Sequence, residues 1–460
     1  MPLAVSDGTH TVARPGKARR AWPTVAVVFA LLIVYNANGR EIGSVDSEPT
    51  KFAARELLLH HTLTLNHFIG AIPQYARRPA FVHARGGVYR SAYSPVSSIL
   101  TAGLTWPFWK AGLIDVRAPR APGVMAVATA SLLTALAVAI AFQEARRRAS
   151  VARALAVAAG FGLGTGLWNA VSRTLWVHET AIFGLMIAVF AFAGEEPVGW
   201  AAGVGLALAG AARPQLAPII AALLAGIWFR AGWRQALAAA SVVGTAAAVM
   251  MIANERWFGS PFGPLAAMAD VNNVLHRTSS TFAADWRGLA GLLVSPSRGL
   301  LVFSPVAAIG LWVPGGRSAD RWRQPFAWCA LAAAAQWAMY GSYSVWWGGH
   351  TFGPRYMLDV LPLLVPAAAV AAGRLRLRSA AGAAACAALA WSILVAATGA
   401  FVYPNDRWNS DPTDIDRDHA RLWSWSDNQL ARSWKTAPSP QNFELFARDT
   451  LRVPEQARRR

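Results

Sequence analysis

Apolar residues in this 460-residue chain gather into blocks at 22–37, 122–142, 154–170, 180–194, 198–212, 214–230, 236–254, 299–314, 325–341, 356–373 and 379–401. Blocks of this kind, even where several are short, predict membrane-crossing helices. A further block at 93–112 carries Ser94-Pro95 and Trp106-Pro107, with Lys110 soon after that proline, which suits a re-entrant or interfacial helix. The predicted fold is therefore all-α, a polytopic transmembrane bundle of about eleven helices, or twelve if 93–112 crosses.

Charge gives the bundle a direction. Basic clusters at Arg14 to Arg20, Arg146 to Arg148, Arg230 to Arg234, Arg317 to Arg323 and Arg374 to Arg378 all fall on one side when 93–112 does not cross. Positive loops stay cytoplasmic. The predicted organisation is a basic N-terminal segment 1–21, a membrane domain 22–401 with a first outer loop 38–121, and an extracytoplasmic tail 402–460. The first block also resembles a signal peptide, with a basic head and Ala37-Asn38-Gly39 after it; either way, the loop from residue 38 is delivered outside.

Composition supports this picture, with 55% apolar and 15% charged residues. The net charge of +19 is spread as short clusters between apolar blocks, so it reads as topology signal and headgroup contact rather than nucleic-acid binding. Cys329 and Cys386 both lie in apolar stretches, which argues against a disulfide framework.

The outer segments hold the candidate chemistry. In Val45-Asp46-Ser47-Glu48-Pro49, an acidic residue follows the first span closely and could act as a general base or help to bind a divalent cation; a solvated loop with a helix start capped by Ser47 is the plainer alternative. Ser295-Pro296-Ser297-Arg298 has the form of a helix start with a guanidinium in its first turn, and Gly353-Pro354-Arg355 opens the block at 356 in the same way. Free N–H groups and an arginine at a helix start suit a phosphate, while headgroup snorkelling needs the same residues. His178-Glu179 opens another apolar block and could orient an acceptor or stabilise a leaving phosphate, or simply cap the helix. His60, His61 and His67 lack the spacing of a zinc site, and the tail aspartates Asp406, Asp411, Asp414, Asp416 and Asp418 lack that of a calcium loop. The tail reads as a solvated, partly ordered cap.

Several of these segments resemble the GT-C class of membrane glycosyltransferases, which includes protein mannosyltransferases and the lipid-A aminoarabinose transferase. The resemblance is carried by Asp46 with its following Pro49 and Leu-rich helix, by Tyr89 to Pro95, and by Ser172-Arg173-Thr174-Leu175-Trp176-Val177-His178-Glu179. Ser295 to Pro305 and Trp346 to Tyr356 are similar to signatures of a bacterial branch of that class. His178-Glu179 stands where better-known members place an aspartate, so a metal site cannot be carried over.

The resemblance implies a glycosyltransferase in the bacterial inner membrane, with its active face extracytoplasmic, passing a sugar from a polyprenyl-phosphate donor to an envelope lipid, glycan or protein. Asp46 would be the base and Glu48 its reserve. Arg298, Arg355, His178, Glu179, Arg173, His350 and Tyr93 would bind substrates, a divalent metal stays open, and no nucleotide is expected. A lipid or glycan transporter or flippase also suits many apolar helices, but would place ionisable groups near mid-membrane. A non-catalytic envelope-assembly protein is the third reading.

Overall fold

The computed structural model describes residues 17–277, 279–283, 285–311, 324–405 and 407–443. Arg14, the basic loop Arg317 to Arg323, the end of the 299–314 block, Asp406 and the tail beyond 443 lie outside the described residues.

The molecule is a helical bundle whose strands among the described residues are confined to one hairpin, Phe81–Ala84 (β1) and Val88–Ser91 (β2). The turn between them uses Gly86 and Gly87 at positive φ, where a side chain would be strained. The long helices are α1 (Lys17–Asn36), α2 (Glu48–His60), α3 (Val96–Lys110), α4 (Ala121–Arg146), α5 (Val151–Gly162), α6 (His178–Ala193), α7 (Gly199–Ala212), α8 (Ala217–Ala231), α9 (Trp233–Phe258), α10 (Leu265–His276), α11 (Trp286–Val294), α12 (Pro325–Gly341), α13 (Leu361–Arg374) and α14 (Ala380–Phe401).

Among the described residues, five helical stretches are long and apolar enough to cross a membrane: 121–146, 214–231, 233–258, 355–374 and 380–401. The pair 151–162 and 166–173 makes a sixth if its 50° bend is counted within one span. Helices 22–36, 178–193 and 199–212 are apolar but shorter. The 299–314 block is not one continuous helix. Ser304-Pro305 divides it into Leu300–Phe303 and Ala308–Leu311, because Pro305 cannot donate the hydrogen bond that would carry the first turn onward. The 93–112 block becomes α3, which packs on α2 and α4 while leaving Ile99, Leu104, Trp106 and Phe108 exposed.

Small residues let the central helices approach closely. A Cβ on Gly205 of α7 would lie 2.5 Å from the Gly184 carbonyl of α6, and one on Gly203 would lie 2.7 Å from the Ala239 carbonyl of α9. Without a hydrophobic force between helices in lipid, such close backbone contact is a principal source of association. The outer faces of α9 and α14 stay exposed and apolar, with Leu237, Val249, Ile252 and Leu394 on the surface.

The two ends of the bundle differ. At one end Arg147 donates to the Phe190 carbonyl at 2.7 Å, Arg148 to Ala193 at 2.7 Å, Arg230 to Gly194 at 2.9 Å and Arg153 to Leu375 at 3.0 Å. Arginines thus satisfy the carbonyls left free where helices stop. At the opposite end lie the first loop, the starts of α6 and α13, and residues 402–443. These last residues are more than a solvated cap: Trp408, Ile415 and Leu422 are buried in the main core, and Leu430 packs against Phe303 and Val395.

Candidate active site

Four residues singled out from the sequence meet at this second end. Asp46 lies in the turn just before α2, and Ser47, although at the helix start, makes no side-chain cap; its hydroxyl donates to the Ser44 carbonyl at 3.1 Å. Tyr93 comes just after β2, so the hairpin carries it back over the first loop. Its hydroxyl donates to Asp46 Oδ1 at 2.7 Å. Arg355 opens the helical stretch leading into α13, and its Nη2 reaches Asp46 Oδ2 at 2.6 Å. The same guanidinium stands 4.5 Å from the centre of the Trp176 ring and donates through Nε to His178 Nε2 at 3.4 Å.

His178 is the hinge to a second, deeper group. Its Nδ1 lies 2.9 Å from Asp359 Oδ1, and an ionised carboxylate only accepts, so the proton sits on Nδ1 and Nε2 is left to accept from Arg355. Asp359 Oδ2 pairs with Arg213 at 3.2 Å and accepts from the Tyr340 hydroxyl at 3.0 Å. Two carboxylates and two guanidiniums therefore alternate through one imidazole. Charges this buried persist only when paired in this way. The residue before His178, Val177, takes φ 60, a conformation that costs a β-branched residue of order 1–3 kcal/mol. That strained turn sets the start of α6 and with it the direction of the imidazole.

Burial alone would raise the Asp46 pKa. The Arg355 charge and the hydrogen bonds from Tyr93 and Arg355 outweigh that effect, with a smaller contribution from His276, and hold the carboxyl below its ordinary range. Tyr93 moves the other way: burial and the neighbouring Asp46 charge push its hydroxyl well up, so it remains a donor.

The other named residues lie apart from this group. Glu48 pairs with Arg78. Glu179 accepts from Ser97 at 2.8 Å and faces α3. Arg173 is buried, with Nη1 3.4 Å from the carbonyls of Gly399 and Ala400. His350 contacts the tail, at 3.0 Å from Asp414 and 3.1 Å from Asp416. His60 and His67 stack with ring centres 4.2 Å apart, without converging with His61 as a metal site.

Arg298 departs furthest from expectation. Ser295 to Arg298 form a turn between α11 and the short helix at Leu300, not a helix start, with Ser295 Oγ accepting from the amides of Ser297 and Arg298. The guanidinium points inward. All five of its N–H groups are taken by Trp347 O, Ser297 O, Gln429 Oε1, Gly349 O and Asn409 Oδ1, at 2.6–3.0 Å. No donor is left for a lipid phosphate.

Sequence reasoning missed Asp359, Arg213, Tyr340 and His276. A signal existed for two of them: Asp359 is an ionisable residue inside the 356–373 block, and Arg213 is the single residue separating two apolar blocks.

Arg355 also lines a narrow recess together with Thr165, Asn169, Trp176, Phe303 and Phe352. Thr165 is shared with a larger apolar groove between α5, α13 and α14, lined by Val157, Phe161, Val306, Leu361 and Leu389. Within the recess, the Asn169 side-chain oxygen and the Trp176 indole N–H are buried without a partner.

No family model matches the chain, and no curated protein matches it. Among solved structures, the crystal structure of ArnT from Cupriavidus metallidurans bound to undecaprenyl phosphate is similar with a TM-score of 0.48 and 15% identity, over 85% of this chain and 72% of that one.

Proposed function

We propose that this chain is a multi-pass membrane glycosyltransferase of the GT-C kind, taking a sugar from a polyprenyl-phosphate donor at the extracytoplasmic face of the bacterial inner membrane. The observation that carries this reading is the position of Arg355, which is paired with Asp46 on one side and lines, on the other, a recess adjoining an apolar groove. A polyprenyl chain in the groove would bring its phosphate to that arginine. Such a chain needs apolar walls, and its phosphate needs a forked cation.

The reaction is an inverting displacement. An acceptor hydroxyl bound beside Asp46 attacks the anomeric carbon, its proton passes to the Asp46 carboxylate, and the anomeric C–O bond to phosphate breaks. The bonding pair leaves with the lipid phosphate, whose charge Arg355 holds. Displacing phosphate depends on charge stabilisation more than on covalent catalysis, which suits a fixed guanidinium oriented by His178 and Trp176. Asp46 is a poor base while Arg355 is its partner. When the donor phosphate takes the Arg355 terminal nitrogens from Asp46, while Nε stays on His178, the carboxyl loses that hydrogen bond and shares the charge with the phosphate, so its proton affinity rises and donor binding itself readies the base. Arg173 and Glu179 lie behind this site and act as supports, Glu48 belongs to the Arg78 pair, and the acceptor is an envelope lipid, glycan or protein.

Comparison of envelope glycans by mass spectrometry between a deletion strain and strains complemented with wild type or Asp46→Asn tests the proposal. One glycan should lose a sugar in the deletion, regain it with wild type and lack it with the variant. Unchanged glycans in the deletion strain would overturn the reading.

A further inference from the structure

His350, Asp414 and Asp416 come together where the loop Trp346 to His350 meets the C-terminal cap, outside the Asp46 cluster. One nitrogen, His350 Nε2, faces two carboxylate oxygens from two residues, Asp414 Oδ1 at 3.0 Å and Asp416 Oδ2 at 3.1 Å. A ring nitrogen carries at most one hydrogen, and it makes a full hydrogen bond only to Asp414. Two carboxylates converging on that nitrogen also repel each other, and His276, the second imidazole beside them, faces the far oxygen of Asp416 and not the cluster. The three donor atoms lie within 4.8 Å of one another. Ligands bound at roughly 2.1 Å and at right angles around a first-row metal stand about 3.0 Å apart, which the two separations from His350 Nε2 match.

The atoms behind the cluster are arranged as outer-shell partners would be. Asp416 Oδ1 accepts from the Trp347 indole at 2.8 Å and is held by His276 Nδ1 at 3.0 Å, which leaves Oδ2 directed to the cluster. Asp414 Oδ1 accepts from the Asp416 amide at 2.9 Å, which fixes the turn. Oriented ligating carboxylates of this sort are typical of metal sites. His350 is exposed, so a cation can enter from solvent.

We propose that His350 Nε2, Asp414 and Asp416 bind one divalent transition cation, Zn²⁺ or Mn²⁺, with positions left for water, and that this cation clasps the C-terminal cap to the loop preceding Arg355. The imidazole ligand selects against Mg²⁺ and Ca²⁺, which prefer oxygen alone. The clasp lies five residues before Arg355 in sequence and beside Trp347, whose carbonyl accepts from Arg298, so it reinforces the same joint that Arg298 ties from within. The site does not depend on the glycosyltransferase reading, because its ligands are distinct from Asp46 and its readout is metal binding.

The full-length protein in detergent, stripped with chelator and titrated with Zn²⁺ and Mn²⁺, provides the test. Elemental analysis should find one cation per chain, with Mg²⁺ failing to compete. His350→Gln and Asp414→Asn should each weaken binding about 100-fold or more, and chelation should speed proteolysis within 402–443. Asp414 is only partly buried and its Asn variant is nearly isosteric, so its melting temperature in chelator should match that of chelated wild type. The wild-type titration decides even if a variant fails to fold. Absence of stoichiometric uptake, or uptake unaffected in both variants, would overturn the site and leave a hydrogen-bonded ion pair.

Discussion

Replacing Arg355 by lysine keeps the charge and removes the fork, so it isolates what the guanidinium geometry contributes. In the structure this side chain acts in three directions at once: Nη2 to Asp46, Nε to His178, and its face over Trp176. With a donor phosphate present, the guanidinium can keep Nε on His178 and its face on Trp176 while turning both terminal nitrogens to the phosphate. A lysine has one nitrogen and must give up either the imidazole or one phosphate contact. A hydrogen bond to a charged group is worth about 1.5–3 kcal/mol. Arg355 is only 14% exposed, so solvent screening removes little of that. The expected loss is about 10-fold to 150-fold in affinity for a polyprenyl phosphate. Titration of the purified variant in nanodiscs against a polyprenyl phosphate measures it, with abundance and melting temperature as controls. Affinity within twofold of wild type, at normal abundance, would refute a forked phosphate contact and assign Arg355 to holding Asp46 alone.

Asp46→Asn should lower sugar transfer about 10²-fold to 10⁴-fold while leaving insertion intact, and Glu48→Gln should stay near wild type, measured with the same membrane preparations; the reverse outcome would move the base to Glu48. Arg298→Ala should destabilise the protein, because it strands five buried acceptors, and thermal unfolding should show a clear fall, whereas donor affinity of the folded fraction should be unchanged. The Asp46 pKa is lowered by folding, so its pairing stabilises the protein above the unfolded carboxyl value near about 3.9 and stops doing so as pH falls through the lower folded value. The melting-temperature gap between wild type and Asp46→Asn should hold steady from about pH 8 to about pH 5 and close on further acidification; a gap that widens in acid would show that the ion pair is not what holds Asp46.

Helix placement was readable because apolar runs of the right length have few alternatives: the blocks at 122–142, 236–254 and 379–401 became α4, α9 and α14 with ends shifted by a few residues. Charge marked one end of the bundle, where Arg147, Arg148 and Arg230 cap helix ends. What could not be read was which polar residue at one end faces which. Asp46, Tyr93, His178 and Arg355 come from four separate segments, and nothing in their local sequence says that they meet while Glu48, two residues from Asp46, turns to Arg78. Asp359 was hidden because it sits in a block counted as apolar, although a carboxylate there demands a partner. Arg298 misled for the opposite reason. The pattern Ser-Pro-Ser-Arg fits both a helix start and a turn, and only the carbonyls of Trp347 and Gly349 and the side chains of Asn409 and Gln429 decide which way its arginine points.

The distribution of buried charge bears on the rival reading as a transporter. A substrate path through a bilayer needs polar groups near mid-depth, usually where helices are broken. Among the described residues, the buried Asp, Glu, His and Arg side chains of the membrane helices and their joints are His178 and Glu179 in the first turn of α6, Asp359 just before α13, Glu144 in the last turn of α4, Arg213 at the joint between α7 and the turn leading to α8, and Arg173 at the end of the 166–173 segment. Glu144 is neutralised in place by Arg147 and Arg148 at the arginine-capped end. The remaining five lie at the other end, and the cores of α4, α6 and α7 between the two ends are packed mainly with alanine, glycine, leucine and phenylalanine. The bend at 162–166 does break a helix; beside it lie the apolar groove, which offers a lipid chain a wall, and the recess of Asn169 and Arg355, which belongs to the same end as the Asp46 cluster. A cluster of paired charges at one end, beside an apolar groove, matches what the proposed lipid-linked donor would require, namely a cation for its headgroup and apolar walls for its tail, better than what a path through the bilayer would require.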